Sequence, residues 1–307
     1  MRLRYFLVVL LGLFSPGANA AAENKCATPS LLAMTYNIRL DTKADGANAW
    51  EMRKRFFISQ VATLRPDKLG LQEVVLNQKQ DLEQAFPGYQ FVGAGRDDGK
   101  EAGEFSPLAI NREQFSITAS GTFWLSPTPD HPSLGWDAGF KRVVSWARLS
   151  RRGQATKILA INTHWDHQGL VARRESSALI RDWIARNRKK SEHLVLLGDF
   201  NADNSEESVA QLTKPLSNGE TLADARLAST TGSSGPAISY NAFNAFPENG
   251  KLIDHIFISA GVAVNAHAVI ASHENGRVAS DHFPVVAVLN MSGRKSAGCS
   301  RQNLGRE

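Results

Sequence analysis

Apolar positions along this chain fall into short runs broken by polar turns. Runs rich in leucine, β-branched and aromatic residues occur at Leu31–Ile38, Leu69–Leu71, Tyr89–Val92, Leu108–Ile110, Gly121–Leu125, Val143–Leu149, Lys157–Thr163, Leu194–Leu197, Ile253–Ile258, Val262–Ile270 and Val285–Leu289. They predict β-strands, because such side chains pack well on a pleated surface. Trp50–Leu64, Gln78–Phe86, Arg173–Asn187 and Ser205–Leu212 instead repeat their apolar positions at helical spacing. No internal repeat or long linker interrupts this order. The pattern predicts one α/β domain with large sheets over residues 21–290, followed by a polar tail at 291–307.

The first twenty residues stand apart from that pattern. Met1-Arg2-Leu3-Arg4 is a basic lead, Tyr5 to Phe14 is apolar but too short to span a bilayer, and Ala18-Asn19-Ala20 is an A-x-A cleavage site. Residues 1–20 are therefore expected to be a signal peptide, and the product to be secreted or periplasmic, without a membrane anchor and monomeric. Export changes the meaning of the two cysteines, Cys26 and Cys299. In an oxidising compartment an even pair is expected to be bridged, and closing so long a loop stabilises by about 5 kcal/mol in the chain-entropy account.

Composition adds exclusions. Of 307 residues 42% are hydrophobic and 21% charged, ordinary globular usage that excludes a disordered, collagen-like or cysteine-scaffold protein. The formal charge of +5 favours an anionic partner only weakly. Basic runs such as Arg53-Lys54-Arg55 and Arg188-Lys189-Lys190 read as solvated faces, with a groove for a nucleic-acid backbone as the other reading.

The chemistry lies where the strands end. Asn37 closes the first run, Gln72-Glu73 follows the second, His164 and Asp166 follow Lys157–Thr163, Asp199 and Asn201 follow Leu194–Leu197, and Ser280-Asp281-His282 precedes the last. Any one of these is explained by the preference of Asp and Asn for turns and caps. Together they comprise the residue types that bind hard cations and shuttle protons, and they would converge on one rim.

The motifs Met34-Thr35-Tyr36-Asn37-Ile38-Arg39, Gly70-Leu71-Gln72-Glu73-Val74, Asn162-Thr163-His164-Trp165-Asp166-His167, Gly198-Asp199-Phe200-Asn201-Ala202, Ile253-Asp254-His255 and Ser280-Asp281-His282-Phe283-Pro284 resemble, in order, those of the endonuclease/exonuclease/phosphatase (DNase I-like) superfamily. The intervening Gly95-Arg96-Asp97-Asp98-Gly99-Lys100, Gly121-Thr122-Phe123-Trp124 and Arg142-Val143-Val144-Ser145-Trp146 are similar to a secreted bacterial branch. The resemblance implies a four-layer α/β sandwich, two β-sheets face to face with helices outside, and an active site at one end of the sheets.

It also implies roles. Hydrolysis of a phosphoester needs a hard cation, a base and hydrogen-bond donors for the developing charge. Glu73 is the expected Mg2+ ligand, with Mn2+ as a substitute, Asn37 an amide-oxygen ligand or an orienter, and Asp281 a second ligand or an orienter. Asp199 is expected to orient or deprotonate the attacking water and Asn201 to bond the phosphate or that water. His282 would contact the phosphate or move a proton, held by Asp254. His164 would donate to the phosphate from the opposite side, with Asp166 or His167 behind it; Arg142, as a phosphate clamp, and Asp166 are the expected substrate-binding residues. The remaining histidines, including His255 and His267, are expected on surfaces or in loops.

Two cysteines so far apart do not make a zinc site, and no G-x-S-x-G elbow supports a serine hydrolase. The expected activity is a secreted Mg2+-dependent phosphoesterase, with phosphodiester substrates such as nucleic acid narrowly ahead of nucleotides and other small phosphomonoesters. A catalytically silent module binding a phosphorylated or carbohydrate ligand is the alternative, opposed by the intact acid, amide and histidine set.

Overall fold

The structure, a computed structural model, describes residues 30–291. The leader, Cys26, Cys299 and the tail beyond Met291 lie outside the described residues, and so does the bridge expected between the cysteines.

The strands are β1 (Leu31–Asn37), β2 (Lys68–Gln72), β3 (Tyr89–Val92), β4 (Leu108–Asn111), β5 (Phe115–Trp124), β6 (Val143–Arg151), β7 (Lys157–His164), β8 (Glu192–Asp199), β9 (Leu222–Asp224), β10 (Ser233–Ser234), β11 (Asp254–Ser259), β12 (Ala263–Val269) and β13 (Val285–Asn290). The helices are α1 (Trp50–Leu64), α2 (Leu76–Ala85), α3 (Leu170–Asn187) and the single turns α4 (Glu207–Ala210) and α5 (Ala225–Ala228). One sheet has the order β10-β12-β13-β1-β2-β4-β3 and the other β5-β6-β7-β8-β11-β9. They pack face to face with helices outside, the four-layer sandwich expected.

Period-two alternation sorts each central strand between two cores. Leu31 and Ala33 of β1, Ile158 and Ala160 of β7, Val195 and Leu197 of β8, and Ile256 and Ile258 of β11 meet in the layer between the sheets. Their neighbours face outward. Met34, Tyr36, Leu69 and Leu71 bury against Trp50, Phe57 and Val61 of α1, while Leu159, Ile161, Leu194 and Leu196 bury against Ile180 and Ile184 of α3. Helix α1 stops at Arg65, which is left-handed at φ 48° with its N–H on the Val61 carbonyl, and Pro66 bars continuation.

The inward series do not end apolar. Leu31, Ala33, Thr35 leads to Asn37; Ile158, Ala160, Asn162 to His164; Val195, Leu197 to Asp199; Ile258, Ile256 to Asp254. His164 is in register with Asp199, and Asp199 with Asp254, so three adjacent strands bring three site residues abreast.

Beneath them a polar layer joins the sheets. Gln72 Nε2 donates to Thr35 Oγ1 at 3.0 Å and to Asn162 Oδ1 at 2.7 Å, and Asn162 Nδ2 donates to the carbonyls of Leu71 and Pro107. Gly70 makes room for this crossing, since a Cβ there would lie 2.5 Å from Asn162 Oδ1.

Some elements differ from expectation. Strand β5 begins at Phe115, not Gly121, because its first half is an edge whose exposed Thr118, Ala119 and Ser120, next to a bulge, carry no apolar alternation. Ser205–Leu212 forms only the α4 turn and a short 3-10 turn. His255 and His267 lie buried within β11 and β12, contrary to the surface positions expected. Among the described residues no helix is long and apolar enough to cross a membrane.

Candidate functional site

The ends of β1, β2, β7, β8 and β11 surround a cleft of about 480 Å3. Its lining includes Arg39, Glu73, Glu104, Phe140, Arg142, His164, His167, Asp199, Asn201, Tyr240, Asp281 and His282.

A hydrogen-bonded chain runs across its floor. Asn37 Nδ2 donates to Glu73 Oε1 at 3.0 Å and to Asp199 Oδ2 at 2.9 Å, and Asn37 Oδ1 accepts from the Arg39 backbone N–H at 2.9 Å. A backbone N–H can only donate, so the amide turns its oxygen away from Glu73. Of the two roles expected for Asn37 the geometry fits the orienter, not the amide-oxygen ligand. Asp199 Oδ1 accepts from the Asn201 N–H at 2.9 Å. His282 places Nε2 3.7 Å from Asp199 Oδ2, and its Nδ1 bonds Asp254 Oδ2 at 2.8 Å. Asp254 is fully buried behind the ring, as an orienting carboxylate should be.

Burial sets the electrostatics. Loss of water, reinforced by the Asp254 charge, pushes the Asp199 carboxyl up to about 7. Burial opposes the charged form of His282, but Asp254 and Asp199 outweigh it and hold the imidazole well above its usual range. Asp281 is raised by burial and by the neighbouring Glu73 charge, despite His282.

Two acidic groupings bear on a metal. The donor atoms of Asp199, Asp254 and His282 lie within 4.8 Å of one another. His282 spends Nδ1 on Asp254 and favours its protonated form, so it offers no lone pair to a cation. Glu73 and Asp281 fit better: both are cleft-lining carboxylates, and a hard cation between them would relieve the repulsion that raises Asp281.

The backbone is strained where it aims these side chains. Arg39, Glu73 and Asn201 follow the ends of β1, β2 and β8, and all are left-handed, at φ 56°, 59° and 48°. Each costs on the order of 1 kcal/mol for a residue with a Cβ and persists because surrounding bonds hold it. For Glu73 these are the bonds to Asn37 and to the Leu40 N–H.

Two expectations shift. Asp166 is not among the residues lining the cleft: it is buried and accepts the backbone N–H groups of Gly139, Phe140, Gln168 and Gly169, together with Arg142 Nε. It organises two loops, because a carboxylate with free lone pairs next to a turn collects N–H donors. Arg142 lines the cleft, but its guanidinium faces Asp166, His164 and His167 rather than standing free as a clamp.

Glu104, Phe140, Tyr240 and Gln168 escaped the sequence reading. Glu104 pairs with Arg96 at 2.7 Å, Phe140 stacks on His167, and Tyr240 sits edge-on to His282. They lie in irregular loops where no periodicity marks them. For Glu104 the preceding Gly95–Lys100 motif was the available signal.

Known proteins resemble this chain in sequence and fold. Residues 34–282 match the Endonuclease/Exonuclease/phosphatase family. A mannosyl-6-phosphatase from Bacteroides thetaiotaomicron is 33% identical with a TM-score of 0.79, over 85% of this chain and 99% of that one. A family member from Bacteroides vulgatus is 33% identical with a TM-score of 0.80, over 86% of this chain and 99% of that one. An uncharacterised protein of Acanthamoeba polyphaga mimivirus is 26% identical, covering 78% of this chain and 92% of its own length. Fold, site and likeness together define a phosphoester hydrolase. The chain belongs to the Endonuclease/Exonuclease/phosphatase family.

Proposed function

We propose that this chain is an exported, Mg2+-dependent phosphomonoesterase that removes phosphate from a small phosphorylated sugar. The observation that carries the reading is the Asp254–His282 pair facing Asp199 beside the Glu73 and Asp281 carboxylates, all within one compact cleft. A cleft of about 480 Å3 suits a small molecule. The Glu104 carboxylate in its wall opposes a polyanionic backbone, and the exposed rings of Phe140 and Tyr240 offer apolar faces to a sugar. The likeness to a mannosyl-6-phosphatase supports the same choice over the diester substrates favoured by sequence alone. Residues 1–20 support export, and Glu73 with Asp281 would hold the metal.

When bound, the metal supplies Lewis-acid stabilisation of the phosphoryl group. The chain's own groups do the rest. Asp199 orients the attacking water and accepts its proton, a role suited to a carboxyl whose pKa lies near neutral. His282, kept protonated by Asp254, donates to a phosphoryl oxygen as charge develops, and Asn201 and His164 donate from the other side. The phosphorus–oxygen bond to the sugar breaks, the departing alkoxide takes a proton from solvent water, Asp199 returns its proton to solvent, and phosphate and the free alcohol leave.

The test is phosphate release from hexose 6-phosphates, p-nitrophenyl phosphate, bis-p-nitrophenyl phosphate and single-stranded DNA, with Mg2+, Mn2+ or EDTA. Turnover of the hexose phosphates that stops in EDTA and returns with Mg2+ is expected. Cleavage of the diester and DNA without monoester turnover would reverse the reading.

A further inference from the structure

The least expected contacts in the cleft are those of Arg142. Its side chain is 5% exposed, and three of its nitrogens meet three partners: Nε lies 3.3 Å from Asp166 Oδ2, Nη1 3.0 Å from His164 Nδ1 and Nη2 3.1 Å from His167 Nδ1. A guanidinium has five N–H donors, no lone pair and no accessible deprotonated form. A neutral imidazole has one lone-pair nitrogen and one N–H. Each Nδ1 that meets Arg142 must therefore be the lone-pair nitrogen, which leaves the ring proton on Nε2.

We infer that Arg142 is a positioning residue that fixes His164 and His167 as their Nε2–H tautomers, so that His164 presents a proton to the phosphoryl oxygen. Burial, with the Arg142 charge next in size, holds both rings below the usual histidine range, which favours their neutral forms. The opposite tautomer of His164 would aim Nδ1–H at Glu104 Oε2, but 3.8 Å is too long for a hydrogen bond.

The consequence lies on the other side of the ring. His164 Nε2 is 3.0 Å from Asn201 Nδ2, and that amide nitrogen is committed as a donor by the Trp165 carbonyl at 2.9 Å. With its lone pair given to Arg142, His164 cannot accept from Asn201, and Asp199 Oδ2 stands 3.6 Å away. Two donors thus stand side by side with no acceptor between them, and an oxygen placed against both satisfies both. For His167, Nε2–H faces the Gln168 side-chain amide, which can turn its oxygen to accept it.

The catalytic consequence rests on the phosphoesterase reading; the tautomer assignment does not. Long-range proton–nitrogen NMR of the 15N-labelled protein, with ring signals assigned through His164→Gln and His167→Gln, reads the tautomers directly. Protonated Nε2 and lone-pair Nδ1 on both rings at neutral pH are expected, and inorganic phosphate should shift the His164 Nε2–H signal. Arg142→Lys keeps a charge but cannot bridge two rings. At least one ring should then show mixed tautomers, with kcat at least ten-fold lower and KM within about three-fold. Nδ1–H on either ring of the wild-type protein overturns the inference, whatever the variant does. Nε2–H on both rings without sugar-phosphate turnover leaves the inference standing and removes the substrate reading instead.

Discussion

Strand β2 points Lys68, Gly70 and Gln72 into the layer between the sheets, and its two ends treat buried polarity in opposite ways. At the site end, Gln72 and the following Glu73 enter a network in which amides and carboxylates are bonded to one another across the sheets. At the other end Lys68 is fully buried, its Nζ has no hydrogen-bond partner among the described residues, and the Phe115 ring 5.3 Å away is its contact. Burial pulls the Lys68 ammonium down to about 8, against the Asp67 charge and with help from Arg151. Displacing a lysine that far costs about 3 kcal/mol at neutral pH. The site end holds its charges in geometry that serves chemistry; the Lys68 end carries a cost that serves none of the chemistry described.

That contrast predicts opposite consequences for substitution. The largest effect belongs to Glu73→Gln, which should lower turnover by about 10^3-fold and weaken Mg2+ binding while Tm stays level or rises, since a repulsive charge is removed. Unchanged turnover together with unchanged metal affinity in isothermal titration would take Glu73 out of the site. Next come Asp254→Asn and His282→Gln, each expected to reduce kcat by about 10^2- to 10^3-fold. Because one residue acts through the other, the double variant should be hardly worse than either single one. Additive losses in that cycle would show that the pair is not a unit.

Gly70→Ala lies between the two ends and should affect both properties. The new methyl must push against Asn162, which costs about 1 to 3 kcal/mol of stability and disturbs the layer beneath the site. Denaturant unfolding and kcat measured on one preparation check both. The smallest effect, opposite in sign, is Lys68→Met, expected to raise stability by about 2 kcal/mol with turnover unchanged. The pH dependence has a definite direction. Between the folded value near 8 and the ordinary 10.5, the unfolded chain binds the extra proton, so Lys68 makes stability rise with pH across that window. Tm measured from pH 7.5 to 10.5 should carry this contribution in the wild type and lack it in Lys68→Met. Equal slopes would mean that the lysine is solvated.

The central architecture was legible because buried strands write themselves as apolar runs and the site residues interrupt those runs at their ends. Asn37, Glu73, His164, Asp199 and His282 stand at the strand ends that this reading marked, whereas Asp254, inside the run Ile253–Ile258, came only from the family resemblance. What stayed hidden depends on contacts with no local signature. Thr118 to Ser120 of β5 are exposed and carry no apolar alternation, and Phe140 and Tyr240 belong to loops. Asp166 and Arg142 carry the right chemistry for substrate, but Arg142 finds its partners in another segment and Asp166 adds the distant Gly139 and Phe140 to its own turn, so composition alone could not show that they act on the protein itself. The left-handed backbone at Arg39 and Glu73 is likewise invisible in residues that rarely adopt it.

The relay crosses the gap between the sheets twice. Asn37 leaves one sheet to bond Asp199 in the other, and His282, on the segment entering β13, reaches back to Asp254 in β11. Each bond tolerates only a few tenths of an ångström of lengthening. The machinery is therefore a vernier for the alignment of the two sheets: a slide of one past the other by a fraction of a bond length would uncouple both crossings while every strand stayed paired. Warming should silence this enzyme through misalignment before it melts.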